Sequence, residues 1–287
     1  MTEPFAQHRR LLFAVAYDLL GSVADAEDVV QETWLRWSKT DHADVRDPRA
    51  YLVRTATTQA LNRIRANQAR RETYIGPWLP EPLVEPESDP AVAVTERAAR
   101  EHAVSLAMLV VLESLTPDER AVFVLREVFG MPHDDIANAL GRTSAAVRQL
   151  AHRAREHVQA RRPRFEADSA EQRRVTEEFL GACASGDMTA LLGLLAPDVT
   201  LVSDGGGLAQ SARRPILGPD KVARFMLGIT PDALAYELDF ALVNGVLGIV
   251  VYGDGTARTV AQLDIVDGQV QTVYIVANPE KLQHVSR

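Results

Sequence analysis

Cysteine is nearly absent from the chain: Cys183 is the single one. One thiol cannot close an internal disulfide or supply a multi-thiolate metal site. Without a cysteine framework the chain reads as a protein of a reducing compartment. Long hydrophobic runs are missing too. No stretch approaches the roughly 18 apolar residues of a membrane span, and the longest, 105–112, has the length of a core helix. The opening residues MTEPFAQHRR lack the basic and apolar regions of a signal peptide. A cytoplasmic location with no membrane partner is therefore expected. Histidine does not occur between Arg173 and Lys281, which removes the commonest general base from that part of the chain. No grouping of His, Cys and carboxylates has metal-ligand spacing.

What is present is enough chain for two or three domains: 287 residues, 46% hydrophobic and 24% charged. The net charge of −8 argues on average against a nucleic-acid partner. The average conceals a pattern. Between Arg46 and Arg71 stand seven arginines and one acid, Asp47; between Arg142 and Arg164 stand seven more and one acid, Glu156. Two basic segments in an acidic chain suit two local contacts with a polyanion, although on charge alone two solvated helix faces explain them equally well.

Residues 1–72 read as helices. Phe5, Leu12, Phe13, Ala16, Tyr17 and Leu20 recur at helical spacing, and Gly21 stops the run. A second helix from Ala24 carries Ala26, Val29, Val30, Thr33, Trp34 and Trp37 on one side and Asp25, Glu27, Asp28 and Glu32 on the other. Asp47-Pro48 opens a third, which bears the first arginine run. Residues 76–90 hold five prolines and four acids, the composition of a linker. Trp78, Leu79 and Leu83 make it more apolar than a solvated tether needs. Helices resume near Val94 and run to about Glu113. Another follows the start signal Thr116-Pro117-Asp118-Glu119. Beyond Glu171 two helices precede five segments of β pattern, punctuated by Asn244-Gly245, Gly253-Asp254-Gly255 and Asp267-Gly268. Those are hairpin turns, and they predict an α+β domain with a curved antiparallel sheet.

The strongest local signal is HDDIANALGRTSAAVRQLAHRARE, residues 133–156. Ile136, Ala137 and Leu140 face inward, Gly141 permits a tight turn, Thr143 or Ser144 caps the next helix, and Val147 and Leu150 pack it back. That is a helix-turn-helix layout. Arg148 and Gln149 are residue types that read guanine and adenine edges, and arginine also grips phosphate. The acidic helix cannot be a DNA contact; with Trp34 and Trp37 it suits a protein partner with a basic surface, although taken by itself an ordinary amphipathic helix with a buried Trp pair explains it better.

DAEDVVQETWLRW, followed by DPRAYLVRTATTQALNRIRA, resembles the second conserved region of extracytoplasmic-function sigma factors. TPDERAVFVLREVFGMPHDDIANALGRTSAAVRQLAHRARE resembles their fourth region. The resemblance spans residues 5–162 and implies two all-α domains, a core RNA polymerase partner (its β′ clamp helices and β flap) and promoter DNA. It implies that Asp25, Glu27, Asp28, Gln31, Glu32 and Trp34 meet polymerase. It implies that Arg54, Asn62, Arg63 and Arg65 face the melted promoter element. Arg142, Thr143, Ser144, Arg148, Gln149, Arg153 and Arg155 would then sit at the upstream hexamer.

Residues 170–287 resemble a SnoaL-like domain of the cone-shaped α+β class. WLPEPL (78–83), DGGG (204–207) and NPEKL (278–282) are similar to motifs of the sigma subfamily that carries this domain as a fused, self-regulating extension. Leu208 stands where a basic residue is expected and Glu280 where Asp is usual. The implied arrangement docks Trp78, Leu79, Pro80 and Leu83 near Asp204, Gly205, Gly206, Gly207, Asn278, Pro279, Lys281 and Leu282. The domain limits read as 1–72, a linker at 73–93, 94–165 and 168–287. Asp204, Tyr236, Asp239, Tyr252 and Asp264 are the groups a catalytic cone pocket could use, but strand-surface and turn positions explain them better. No catalytic residue, metal, cofactor or enzyme activity is expected. The alternative is a helix-turn-helix regulator that senses a small ligand in the C-terminal cavity. The free protein is expected to be a monomer.

Overall fold

Three helices build the start of the chain: α1 (Glu3–Leu20), α2 (Val23–Trp37) and α3 (Pro48–Glu72). The computed structural model describes residues 3–41, 45–86, 104–161 and 168–287, without the side chains of 3 and 68–72. The part of the expected helix between 94 and 103 lies outside these residues. The described residues divide into two units, 3–73 with 104 and 108–161, and 74–86 with 105–107 and 168–287.

Local chemistry sets the helix ends of the first unit. The Ser22 hydroxyl accepts from the Asp25 amide at the start of α2 (3.2 Å), and Asp47 Oδ1 accepts from the Ala50 amide at the start of α3 (3.0 Å). Each satisfies a donor that the helix itself leaves free. After α4 (Leu106–Glu113), Thr116 and Glu119 form a reciprocal capping box for α5 (Pro117–Phe123). The helix widens into one π turn, Val124–Val128, closed by Phe129 N–H to Val124 O (3.1 Å). Helix α6 (His133–Leu140) stops at Gly141, whose φ of +63° is open to glycine at little cost. Helix α7 (Ser144–Gln159) starts at Thr143, whose hydroxyl accepts from the Ala146 amide (3.2 Å). Val147, Ala151, Ala154 and Val158 bury one stripe of α7, the i, i+4, i+7, i+11 spacing of an amphipathic helix.

The second unit begins with linker residues. Val84–Pro86 is a strand, β1, followed after the first unit by α8 (Ser169–Ser185), α9 (Met188–Leu194), β2 (Leu195–Asp204), β3 (Ile216–Leu217), α10 (Pro219–Ala233), β4 (Glu237–Val243), β5 (Val246–Gly253), β6 (Thr256–Val266), β7 (Gln269–Val276) and α11 (Pro279–Leu282). The sheet order is β1-β4-β5-β6-β7-β2-β3. It is antiparallel except between β2 and β7, which are parallel, so the all-antiparallel expectation holds for every other pair. The turn residues Asn244-Gly245, Asp254-Gly255 and Asp267-Gly268 all have positive φ, as two-residue type I′ hairpins require. Register shifts at Val251/Tyr252 and Asp264/Ile265 give the sheet local bends. Phe179, Val199, Leu201, Val222, Leu263 and Val273 fill the core between sheet and helices.

One core feature works against stability. Asp18 on α1 is 3% exposed, its Oδ2 has no hydrogen-bond partner, and burial pushes its carboxyl well above the usual range. The folded chain therefore holds this proton more tightly than the unfolded chain. Stability of the first unit falls as pH rises from the unfolded carboxyl range through the raised folded value, and the penalty is complete above it. Asp18→Asn should stabilise the first unit at pH 7 by more than about 1.4 kcal/mol, the equivalent of a tenfold change in the proton affinity of the removed carboxyl, and give almost nothing at pH 3. Denaturant unfolding at the two pH values checks this; an equal gain at both would contradict it.

Candidate promoter and polymerase interface, and the linker site

The acidic residues of α2 do not stand alone. Arg63 on α3 reaches Asp25 Oδ1 (3.0 Å), Asp28 Oδ2 (2.7 Å) and Glu32 Oε1 (3.6 Å). Asn67 donates to the other Asp25 oxygen (2.9 Å), and Arg9 pairs with Glu27 (2.6 Å). Asp28 and Glu32 keep about half their surface in solvent, and Gln31 is exposed. Trp34 is half-buried, its ring 5.0 Å from that of Phe5, while Trp37 is fully buried against Tyr51. Sequence reasoning placed Arg63 with the promoter and the acids with polymerase; the fold brings the two groups together. Opposite charges spaced 31 to 38 residues apart carry no local signal of this.

Arg54, Asn62 and Arg65 lie exposed along α3 at i, i+8 and i+11, close to one face over about 16 Å of helix. Arg65 meets Asp118 Oδ1 (3.2 Å). The helix-turn-helix shows its expected face: Ala145, Arg148, Gln149, His152, Arg153 and Arg155 are exposed, and Ser144 is half-buried. Arg148 donates to the Ser144 hydroxyl (3.2 Å), Arg142 to Asp118 Oδ2 (2.6 Å), and Arg153 and Arg155 pair with Glu119 and Glu127 (3.1 Å each). A helix with this much exposed guanidinium and a capped N-terminus has what major-groove docking needs.

In the second unit the three short motifs meet around Asp204, which is 0% exposed at the end of β2. Its Oδ1 accepts from the Tyr74 hydroxyl (2.6 Å) and the Gly206 amide (3.0 Å). Its Oδ2 accepts from the Leu79 amide (2.8 Å) and Lys281 Nζ (2.7 Å). Four donors fill the four lone-pair sites of a carboxylate. Lys281 also donates to the Leu79 carbonyl and lies over the rings of Trp78 (4.0 Å) and Tyr74 (5.1 Å), a desolvated cation–π geometry. Asn278 caps α11 by accepting from the Glu280 amide (3.0 Å), and its Nδ2 donates to the Tyr74 oxygen (2.8 Å). Burial, then the Asp204 hydrogen bond and charge, drive the Tyr74 hydroxyl far above its ordinary range. Pro279 opens α11 and Leu282 is buried.

The glycines are needed sterically. A Cβ on Gly205 would strike the Ala209 carbonyl and Ser211, one on Gly206 would strike Asn278, and one on Gly207 would meet Ile75 at 2.8 Å. Leu79 is fully buried and Pro80 buried. Further along, Leu83 N–H donates to Asn244 Oδ1 (3.2 Å), Asn244 N–H returns to Leu83 O (2.8 Å), and the Pro82 carbonyl meets His284 Nε2 (2.8 Å). Val84, Glu85 and Pro86 then pair with Val243, Leu242 and Ala241 of β4. Tyr74 and His284 were not singled out in the sequence, and Asn244 was read only as a turn residue; Tyr74, four residues before WLPEPL, is the one a search for apolar linker residues could have found. Among the candidate pocket groups, Tyr252 is buried, Asp239 pairs with Arg287 (3.1 Å), and Tyr236 is exposed beneath Arg258. No metal-type cluster occurs among the described residues, and none of the described helices is long and apolar enough to cross a membrane.

Residues 5–70 match the family Sigma-70 region 2, and residues 105–158 match Sigma-70, region 4. The chain is 41% identical over 290 residues to the ECF RNA polymerase sigma factor SigJ of Mycobacterium tuberculosis (strain ATCC 25618 / H37Rv), covering 96% of this chain and 91% of that protein. It is 31% identical over 277 residues to the probable ECF RNA polymerase sigma factor SigI of Mycobacterium tuberculosis (strain CDC 1551 / Oshkosh), covering 96% and 92%. The crystal structure of the Mycobacterium tuberculosis extracytoplasmic function sigma factor SigJ matches with a TM-score of 0.79 at 38% identity, covering 99% of this chain and 98% of that one. With helical region 2 and region 4 domains followed by the α+β domain along its whole length, the chain belongs to the extracytoplasmic-function family of sigma-70 RNA polymerase sigma factors.

Proposed function

We propose that this sigma factor places the acidic face of α2 (Asp25, Glu27, Asp28, Gln31, Glu32, with Trp34) on the β′ clamp helices and uses the β flap as a second polymerase contact. Helix α3, with Arg54, Asn62, Arg63 and Arg65, takes the melted promoter element. Helix α7 and its N-terminal turn, from Arg142 to Arg155, take the upstream hexamer. Exposed cations along α3 suit single-stranded backbone, and an exposed basic helix suits duplex. The protein acts as a cytoplasmic monomer without enzymatic activity, and the reading needs no small ligand in the C-terminal domain.

That domain governs the sigma domains in cis by holding the linker, so the regulatory segment includes 74–86 and not WLPEPL alone. The observation that carries this reading is Asp204: two of its four donors, Tyr74 and Leu79, belong to the linker. A held linker shortens the free tether between two DNA-binding modules, and tether length sets the effective concentration of the second contact. The saturated Asp204 carboxylate, with no acceptor site left for a substrate proton, supports the non-enzymatic reading.

Run-off transcription with purified core polymerase is the direct test. Promoter-specific transcripts should appear with the protein and vanish without it; no transcript from any promoter pool would overturn the assignment. Lys281→Met removes one partner of a buried pair. On the scale of such losses, amide exchange at Leu79 should rise roughly 100-fold. The same variant should tolerate promoter spacers several base pairs off the optimum better than wild type. Faster exchange with unchanged spacer tolerance would leave the linker site structural and end its regulatory role.

A further inference from the structure

One cleft in the first unit has polar walls that the fold leaves unsatisfied. It measures about 380 Å³ and lies between the start of α3 and helix α6, with Arg46, Tyr51 and Arg54 on one side and Met131, Asp135 and Asn138 on the other. That volume falls within the range of small-molecule sites, roughly 300–1,000 Å³. Its apolar surfaces are fixed from behind. The Tyr51 hydroxyl meets that of Thr40 (2.9 Å), and its ring rests 5.7 Å from the Trp37 ring. Met131 is buried, its N–H donating to Leu125 O (2.9 Å) and its carbonyl accepting from Arg126 (2.9 Å). Tyr51 and Arg54 stand three residues apart on α3, as Asp135 and Asn138 do on α6, so each pair shares a helix face.

The polar side chains of the cleft are available. Arg46, Arg54, Asp135 and Asn138 are exposed, and none of these four side chains makes an ion pair or hydrogen bond among the described residues. Arg63, Arg65, Arg142, Arg153 and Arg155 of the same unit each hold an acid. Asp47, also at the cleft, is in use: its Oδ1 accepts from the Ala50 amide (3.0 Å). Arg54 and Asp135 line one cleft without closing it, so an occupant must carry a group for the cations and another for the acid. The arginines call for an anion, and phosphate suits a guanidinium fork. Tyr51 and Met131 suit a flat aromatic ring. An ionised carboxylate only accepts, so Asp135 asks for N–H donors, best two side by side. Guanine supplies that pair through its ring N–H and its exocyclic amine; adenine and cytosine each present one donor group on the same edge. The Asn138 amide complements the guanine carbonyl beside them.

We propose that this cleft is a binding site for a free guanine nucleotide. Arg46 and Arg54 hold its phosphates, the base lies between Tyr51 and Met131, and Asp135 reads the ring N–H and the exocyclic amine. Binding covers Arg54, which the proposed function assigns to the melted promoter element, so nucleotide and promoter strand compete for one cation. That consequence rests on the sigma-factor reading; the site itself does not. A guanine in a melted strand offers the same edge, and the experiment separates the two sources.

The test is titration calorimetry on the full chain, without DNA or polymerase. Guanosine diphosphate is compared with adenosine diphosphate, cytidine diphosphate and inorganic pyrophosphate. Guanosine diphosphate should bind at least about 10-fold tighter than each of the others, the lower end of what one bidentate base contact discriminates. Arg46→Ala should weaken it about 10-fold, the scale of a lost bond to a charged group. Asp135→Asn should pass the preference to xanthosine diphosphate, which carries a carbonyl in place of the exocyclic amine; a variant that still prefers guanosine diphosphate would overturn the base assignment. Equal binding of pyrophosphate would reduce the cleft to an anion site. Binding of a guanine-bearing single strand but not of the free nucleotide would assign the cleft to DNA. Either result overturns the proposal. In run-off transcription guanosine diphosphate should lower transcript yield with wild type and spare Asp135→Asn; equal loss in both would place the effect on polymerase and overturn the competition. A wild-type protein that binds the nucleotide yet gives no transcript would overturn the sigma-factor reading and leave the site standing.

Discussion

The burial of one carboxylate organises the second unit. An ion removed from water costs several kcal/mol even after relaxation, and Asp204 meets that cost only with its full set of donors. The domain itself provides the Gly206 amide and Lys281; the linker provides the Tyr74 hydroxyl and the Leu79 amide. Lys281 is in turn satisfied by the Leu79 carbonyl and the aromatic rings of Tyr74 and Trp78. Neither ion is well placed without the linker. A pair of this kind contributes less to net stability than to choice, because few alternative arrangements satisfy both partners. The glycines of the DGGG loop, the cap of α11 and the ring positions all follow from bringing that chain segment close to one buried charge.

Charge works differently in the first unit, where, apart from buried Arg120 with Glu113, the pairs lie at or near the surface and are weak one by one. Their arrangement reconciles a net charge of −8 with binding to a polyanion. Acid and arginine are distributed so that Arg63 answers Asp25, Asp28 and Glu32, while Arg153 and Arg155 answer Glu119 and Glu127. On the proposed promoter contact these acids would give way to phosphate. Among the described residues the pairing interleaves the two signs.

Much of this was legible from residue order because it is local. Asp47-Pro48, Thr116 with Glu119, Gly141 followed by Thr143, and the three Xaa-Gly turns each act within four residues, and each sits where the pattern placed it. The short motifs also pointed to the neighbourhood of Asp204. What escaped was non-local. β1 lies in a Pro-rich stretch whose composition denotes a loop, and it becomes a strand only because β4 offers an edge. The parallel pairing of β2 with β7 joins segments about 70 residues apart. Helix α10 went unread between a glycine-rich loop and the β segments, with Pro231 inside its last turn. Arg120 gave no hint of burial, since a lone arginine on a helix normally faces water.

The short strand β1 has a consequence for the sheet. It covers the outer edge of β4, which would otherwise offer unpaired backbone donors and acceptors along Ala241, Leu242 and Val243. Release of the linker would leave that edge unpaired, so the segment that completes the site around Asp204 also finishes the sheet.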